Sequence, residues 1–246
     1  MFGSTFVLCD RRGIRYRIEF GEPFSRLAGV PAWRREFSDD PRMLAYLERI
    51  LHPGDVVVDV GASIGVVALL AAKIGCRVLA IEAERANYDR LRGNIVLNDL
   101  KVEPLRLAIT DHRGTGTLYV FPPNRRGHHT LVRDDAAIAT QTVECTTIDE
   151  FLESRGIERV DLLKIDVEGA EPEALAGAAE SLARGAIRRI IFEISREPLL
   201  RMGHQVEDVI RPLLAAGYLI HTFEGEAVVG TPEWRFANLV AVAPGR

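Results

Sequence analysis

VVVDVGASIG, residues 56–65, is a run of β-branched residues that reaches an acid, Asp59, and then turns on Gly61 and Gly65 into an apolar stretch, Ile64–Lys73. The run reads as a buried strand and the stretch after it as a helix. Glycines let a backbone approach a ligand closely, and a helix start offers free N–H groups. Outward from this unit the same alternation repeats. Arg77–Glu82, Val102–Leu107, Leu162–Val167, Arg189–Ile194, Tyr218–Phe223 and Asn238–Val242 read as strands. Glu84–Asn98, Glu173–Leu182 and Val206–Ala216 read as helices between them. Pro104 inside the third strand points to a sheet edge. Alternating strands and helices, with strands apolar on both faces, predict an α/β fold with a parallel sheet covered on both sides.

Two regions depart from the alternation. Residues 1–52 read as an N-terminal extension packed on a core of 53–246, with a hairpin (Phe6–Cys9 and Gly13–Glu19) and a helix (Asp40–Leu51) capped by Asp39 or Asp40 and opened by Pro41. Residues of about 111–146 read as a β-rich insertion, with the polar loop PPNRRGHHT at its tip. Loops of that length in a compact domain are often functional.

The whole chain narrows the classes. It has 246 residues, 47 % hydrophobic and 27 % charged, with a formal net charge of −4. That is ordinary globular composition. No apolar run reaches the roughly 18 residues of a membrane helix, and MFGSTFVLCDRR does not read as a signal peptide. Cys9, Cys76 and Cys145 are far apart and odd in number, which fits a reducing cytoplasm better than a disulfide framework. A mildly acidic chain is a poor polyanion binder, so no nucleic-acid partner is expected, and no membrane partner. Oligomeric state is not legible.

Glu82 ends the second strand 21 residues after Gly61, near the roughly 20-residue spacing at which an acid meets ribose hydroxyls. The glycine pattern is GxxxG rather than GxGxxG, and Asp59 precedes it. A ligand with a free amine, rather than a pyrophosphate, suits that acid. S-adenosylmethionine carries both the amine and the ribose. The candidate cofactor-binding residues are Asp59, Gly61, Ala62, Gly65, Glu82 and Asp166. In VDLLKIDVEGAEPEAL (160–175), Lys164, Asp166 and Glu168 interrupt an apolar strand with period two, so they share a face if the strand persists. Buried charge is costly unless paired or facing a site. Lys164 reads as a structural partner, and Asp166 as functional at the carboxyl end of its strand.

DVGASIG (59–65), IEA (81–83), GNIVLND (93–99), TTIDEFL (146–152), LLKIDVEGAE (162–171) and IIFEIS (190–195) together resemble the FkbM family of methyltransferases, from about Leu51 to Ile194. The resemblance implies a class I, Rossmann-like, doubly wound sheet in the order 3-2-1-4-5-7-6 with an antiparallel last strand. It also implies S-adenosylmethionine as cofactor and methyl transfer to a hydroxyl of a sugar, glycolipid, polyketide or other secondary metabolite. Ala83 stands where the family usually has proline, and His128-His129-Thr130 where small hydroxyl residues are usual.

Such a transfer needs the partners aligned and the hydroxyl proton accepted. The candidate catalytic residues are Asp166, Glu193 and the loop histidines His128 and His129, histidine having the more suitable unperturbed pKa. Arg125–Thr130 reads as a lid over the acceptor. Asp166, Glu168, Glu171 and Glu193 form a candidate Mg²⁺ cluster, but acidic strand ends without metal are commoner and no metal ligand is assigned. His52, His112, His204 and His221 read as structural, and Phe121-Pro122-Pro123-Asn124 as a loop. The competing readings are a non-catalytic nucleoside-binding protein of the same fold and an NAD-dependent dehydrogenase.

Overall fold

A computed structural model describes residues 5–19, 41–121, 129–132, 135–230 and 233–245. The central sheet has seven strands: β3 (Val56–Val60), β4 (Arg77–Ile81), β5 (Val102–Leu105), β9 (Leu162–Ile165), β10 (Arg189–Ser195), β11 (Leu219–His221) and β12 (Phe236–Val242). Their spatial order is β11-β12-β10-β9-β3-β4-β5. Numbered along the chain within this sheet, that is 3-2-1-4-5-7-6. β12 runs antiparallel to both β10 and β11, and the remaining neighbours are parallel. Pro104 lies on β5 at the free edge, where its missing N–H breaks no ladder.

Alternate residues feed two cores. Val57, Val78, Leu162, Ile191 and Val240 face one side, with Tyr46, Leu69 and Leu91 from the helices there. Val58, Leu79, Leu163, Ile190 and Leu239 face the other, with Leu152, Leu175 and Leu213. Burying each such side chain is worth roughly 1.5–3 kcal/mol. The first core is covered by α1 (Pro41–Ile50), α2 (Val66–Ile74) and α3 (Arg85–Asn98), the second by α4 (Ile148–Ser154), α5 (Glu171–Ala176), α6 (Ala179–Ala183) and α8 (Val206–Ala215). α2, VVALLAAKI, is apolar on every face over Val66–Ala71, where it is buried, and carries its one charge, Lys73, in the last turn. Among the described residues no helix is long and apolar enough to cross a membrane.

The N-terminal hairpin, β1 (Thr5–Cys9) and β2 (Arg15–Glu19), docks its backbone on α3. The Arg15 N–H donates to Asn98 Oδ1 at 2.7 Å, and the Arg17 N–H to Asn94 Oδ1 at 2.7 Å. Asp39 and Asp40, the expected caps of α1, lie outside the described residues. The insertion is a small sheet in the order β6-β8-β7, from β6 (Ala108–Ile109), β7 (Gly114–Val120) and β8 (Ala139–Thr146).

Three expectations are corrected. The helix expected over Glu173–Leu182 is two, α5 and α6, because Gly177 crosses so close to Thr110 that a Cβ would sit 2.1 Å from its carbonyl oxygen. A short helix, α7 (Arg196–Arg201), follows β10 directly and was not expected. β9 ends at Ile165, so Lys164, Asp166 and Glu168 do not share one strand face. Glu168 turns into the left-handed region, with φ of 56°.

Candidate active site

The carboxyl ends of β3, β4, β9 and β10 meet where the strand order reverses, between β3 and β9, the place at which open α/β sheets take ligands. Gly61 explains why this seam is tight. Its N–H donates to the Ile81 carbonyl at 2.9 Å, as does that of Ala62, while the Asp166 N–H donates to Val60 at 3.1 Å. A Cβ on Gly61 would lie 1.9 Å from the Asp166 carbonyl oxygen, and its φ of +78° is itself hostile to side chains. Gly65, with φ of +94°, turns the chain into α2.

Glu82 is buried just beyond β4. Its Oε2 accepts the Ser63 N–H at 2.8 Å, and its Oε1 accepts the Glu84 N–H at 2.8 Å. Burial pushes its carboxyl up to about 7, against the pull of those two amides. Ser63 is held at φ of 50°, a left-handed conformation uncommon for a residue with a side chain.

Asp59 is 1 % exposed, and neither carboxylate oxygen takes a hydrogen bond of normal geometry among the described residues. It lies opposite Lys164 in the ladder, with Nζ 3.7 Å away. Burial raises its pKa, and Lys164 opposes the rise. Lys164 Nζ also donates to Asp166 Oδ2 at 3.1 Å. Asp59 thus faces an internal cation, Lys164.

Carboxylate oxygens of Asp166, Glu168 and Glu193 lie within 4.8 Å of one another. Glu193 is pushed up to about 9, first by burial and then by Asp166, Glu168 and Glu171, with Lys164 opposing. Like charges this close resist ionising together. Glu171 does not belong to the group. Its Oε1 accepts the Val167 N–H and its Oε2 the Gly169 N–H, both at 3.0 Å, so it shapes the turn instead. It is 1 % exposed, and burial raises it to about 8. The expected four-acid cluster is therefore three acids.

The insertion spans both ends of this cleft. His129 Nδ1 accepts the Phe121 N–H at 3.2 Å, and its ring lies near Glu84. A backbone N–H only donates, so in this arrangement the histidine proton sits on Nε2. The next residue, Thr130, donates through Oγ1 to Met202 Sδ at 3.2 Å, beyond β10. His128, Arg125 and Arg126 lie outside the described residues. His204 is paired with Glu173 at 2.7 Å.

Sequence reasoning missed Glu84, Asn94 and Gln141. Glu84 caps α3, its Oε2 accepting the Asn87 N–H at 2.7 Å; glutamate is not among the usual N-cap residues, so no signal in the sequence marked it. Asn94, fully buried, donates to the Ile64 carbonyl at 2.9 Å and so braces the glycine turn. Nothing local marks Gln141.

The methyltransferase FkbM domain matches residues 59–220. Methyltransferase sdnD of Sordaria araneosa is 31 % identical over 50 % of this chain and 60 % of its own. The hexuronic acid methyltransferase AglP of Haloferax volcanii is 28 % identical over 66 % of this chain and 65 % of its own. The 31-O-demethyl-FK506 methyltransferase FkbM of Streptomyces tacrolimicus is 29 % identical over 58 % of this chain and 66 % of its own. The chain thus spans 60–66 % of the length of these curated relatives. The matched domain runs from Asp59 through the strand ends that carry Glu82, Asp166 and Glu193 to β11, and the chain belongs to the FkbM methyltransferase family.

Proposed function

We propose that the chain is an S-adenosylmethionine-dependent O-methyltransferase that acts on a hydroxylated small molecule. The observation that carries this is Glu82. A buried carboxylate, held by two backbone amides, stands at the end of β4 beside the glycine turn. A carboxylate has about four acceptor sites, so two remain for the paired hydroxyls of a ribose. S-adenosylmethionine supplies a methyl group made electrophilic by its sulfonium. The residues present fit it: Glu82 for the ribose, and Gly61, Ala62 and Gly65 for close backbone approach. Asp59 acts at one remove, fixing Lys164 and through it Asp166.

Asp166 also faces the acceptor side with Glu168 and Glu193. We assign it the orientation and deprotonation of the acceptor hydroxyl. Glu193, protonated at neutral pH, donates a hydrogen bond within the same group. His129 holds its proton on Nε2 and serves as a donor over the nucleoside side, not as the base. The relatives' names give a hexuronic acid and 31-O-demethyl-FK506 as their acceptors, the second of them methylated at oxygen.

Melting curves with S-adenosylhomocysteine test the cofactor, because a ligand that binds only the folded state stabilises it. A rise with S-adenosylhomocysteine and none with NAD is expected. A rise with NAD and none with S-adenosylhomocysteine would overturn the methyltransferase reading. Incubation with S-adenosylmethionine and a panel of sugars and macrolide alcohols, read by product mass, tests the transfer. Cofactor binding with no product from any alcohol in the panel would favour the non-catalytic reading.

A further inference from the structure

We infer that Gln141, on β8 of the insertion, is a positioning residue for the nucleoside half of the cofactor. The inference rests on the methyltransferase reading above. One side-chain amide makes three contacts at the mouth of the site. Its Nε2 donates to Glu84 Oε1 at 2.7 Å. Its Oε1 accepts the Arg85 N–H at 3.0 Å and the Arg106 guanidinium at 3.3 Å.

Glu84 passes the constraint on. Its side chain caps α3, and its own N–H holds Glu82 Oε1. Glu82 in turn holds Ser63 in the glycine turn through the other oxygen. A continuous hydrogen-bonded path therefore runs from the insertion sheet through Gln141, Glu84 and Glu82 to the turn after β3. Gln141 lies 57 residues beyond Glu84 in sequence, so this register depends on the insertion being folded in place. Side chains that present a binding group act by holding it in the productive geometry before the ligand arrives.

The donor and acceptor roles can be exchanged. Gln141→Glu removes the donor and sets a carboxylate against Glu84. Adding Glu84→Gln restores one donor facing one acceptor: the new amide oxygen still accepts from Asn87, and the new carboxylate still accepts from Arg85 and Arg106. Dissociation constants for S-adenosylhomocysteine and 5′-methylthioadenosine, by calorimetry, test this. Q141E is expected to weaken both by about tenfold, the scale of losing a hydrogen bond to a charged group, and E84Q/Q141E to recover most of it. An equal loss for the two ligands locates the effect at the nucleoside, which they share, rather than at the amino-acid end. If Q141E fails to fold, Gln141→Met, near in size and without hydrogen bonds, takes its place. Unchanged affinity in a folded variant, or a folded double variant with no recovery, would overturn the inference. Wild-type protein that bound neither ligand would overturn the methyltransferase reading itself, a result separable from both.

Discussion

At the end of β4, Glu82 and Glu84 stand two residues apart and all four of their oxygens accept hydrogen bonds, from Ser63, Glu84, Asn87 and Gln141. At the ends of β9 and β10, Asp166, Glu168 and Glu193 crowd within 4.8 Å, with Lys164 Nζ 3.1 Å from Asp166. The first region is acid made rigid by amides. The second is acid kept in tension by like charge. Rigid, satisfied carboxylates suit the binding of a fixed nucleoside. Crowded carboxylates, one of them holding a proton, suit a place where a proton must move. The Gly61–Asp166 contact is the seam between the two.

Asp166→Asn tests the contrast most severely. It keeps the size and removes the charge, and Lys164 still faces Asp59. Turnover is expected to fall by roughly 10²–10⁴-fold, the scale of general acid–base catalysis, while S-adenosylhomocysteine affinity changes little. Single-turnover kinetics and calorimetry read the two separately. A loss of affinity restored by saturating cofactor would move Asp166 from the reacting side to the binding side.

Gly61→Ala attacks the seam. The left-handed backbone costs an alanine about 1–2 kcal/mol, and the 1.9 Å approach to the Asp166 carbonyl adds to it because both partners are backbone. A total destabilisation of about 2–4 kcal/mol is expected from denaturant melts. Both cofactor affinity and turnover should suffer. A variant as stable as wild type would show that the two strand-end loops are not held in contact.

The contrast was only half legible in the sequence. The glycine turn and Glu82 could be read because a strand, its turn and the next strand end are local and spaced by the rise of one βαβ unit. The edge position of β5 followed from Pro104, and the two-sided burial of β3 and β9 from their runs of Val, Leu and Ile. KIDVEG misled, since its alternating charges imitate a strand. The chain instead turns at Glu168, in a conformation that sequence assigns to glycine first. Glu171 looked like one acid among four, and only the fold shows its oxygens spent on Val167 and Gly169. Gln141 was invisible, because its partners are set by the register of a separate sheet.

A smaller effect probes the satisfied side. Glu82 is pushed up to about 7 by burial, with Glu84 and Asp59 adding to the rise and the Ser63 and Glu84 amides opposing it. The ionised form is the better acceptor for two ribose hydroxyls, so binding favours losing the proton. Affinity for S-adenosylhomocysteine should therefore strengthen as pH rises through about 7, by roughly tenfold between pH 6 and pH 8. In Glu82→Gln the affinity should be weaker and its pH dependence flat over this range. An equal slope in the variant would place the titrating group elsewhere.

The smallest effect belongs to the crowded side and is read as stability. Glu193 has an ordinary pKa of 4.5 and is raised to about 9 in the folded chain. Between those values the folded state holds a proton that the unfolded state releases. Stability conferred by that proton is fully present below about 4.5 and declines as pH rises, until it is lost above about 9. Glu171, raised to about 8, and Glu82, raised to about 7, act in the same direction over narrower windows. The ligand-free protein should thus melt at progressively lower temperature from pH 5.5 to pH 8.5. Glu193→Gln cannot ionise, yet keeps a donor among Asp166, Glu168 and Lys164. Its melting temperature should fall less steeply over the same range and cross above that of wild type on the alkaline side by a few degrees, since about 1 kcal/mol shifts a chain of this size by roughly 2–4 °C. General repulsion in an acidic chain lowers both curves alike, so the difference in slope is the measurement. Parallel curves would mean that Glu193 is already ionised in the folded state. The acceptor side would then be as well satisfied as the nucleoside side, and its reading as the proton-handling half would fail.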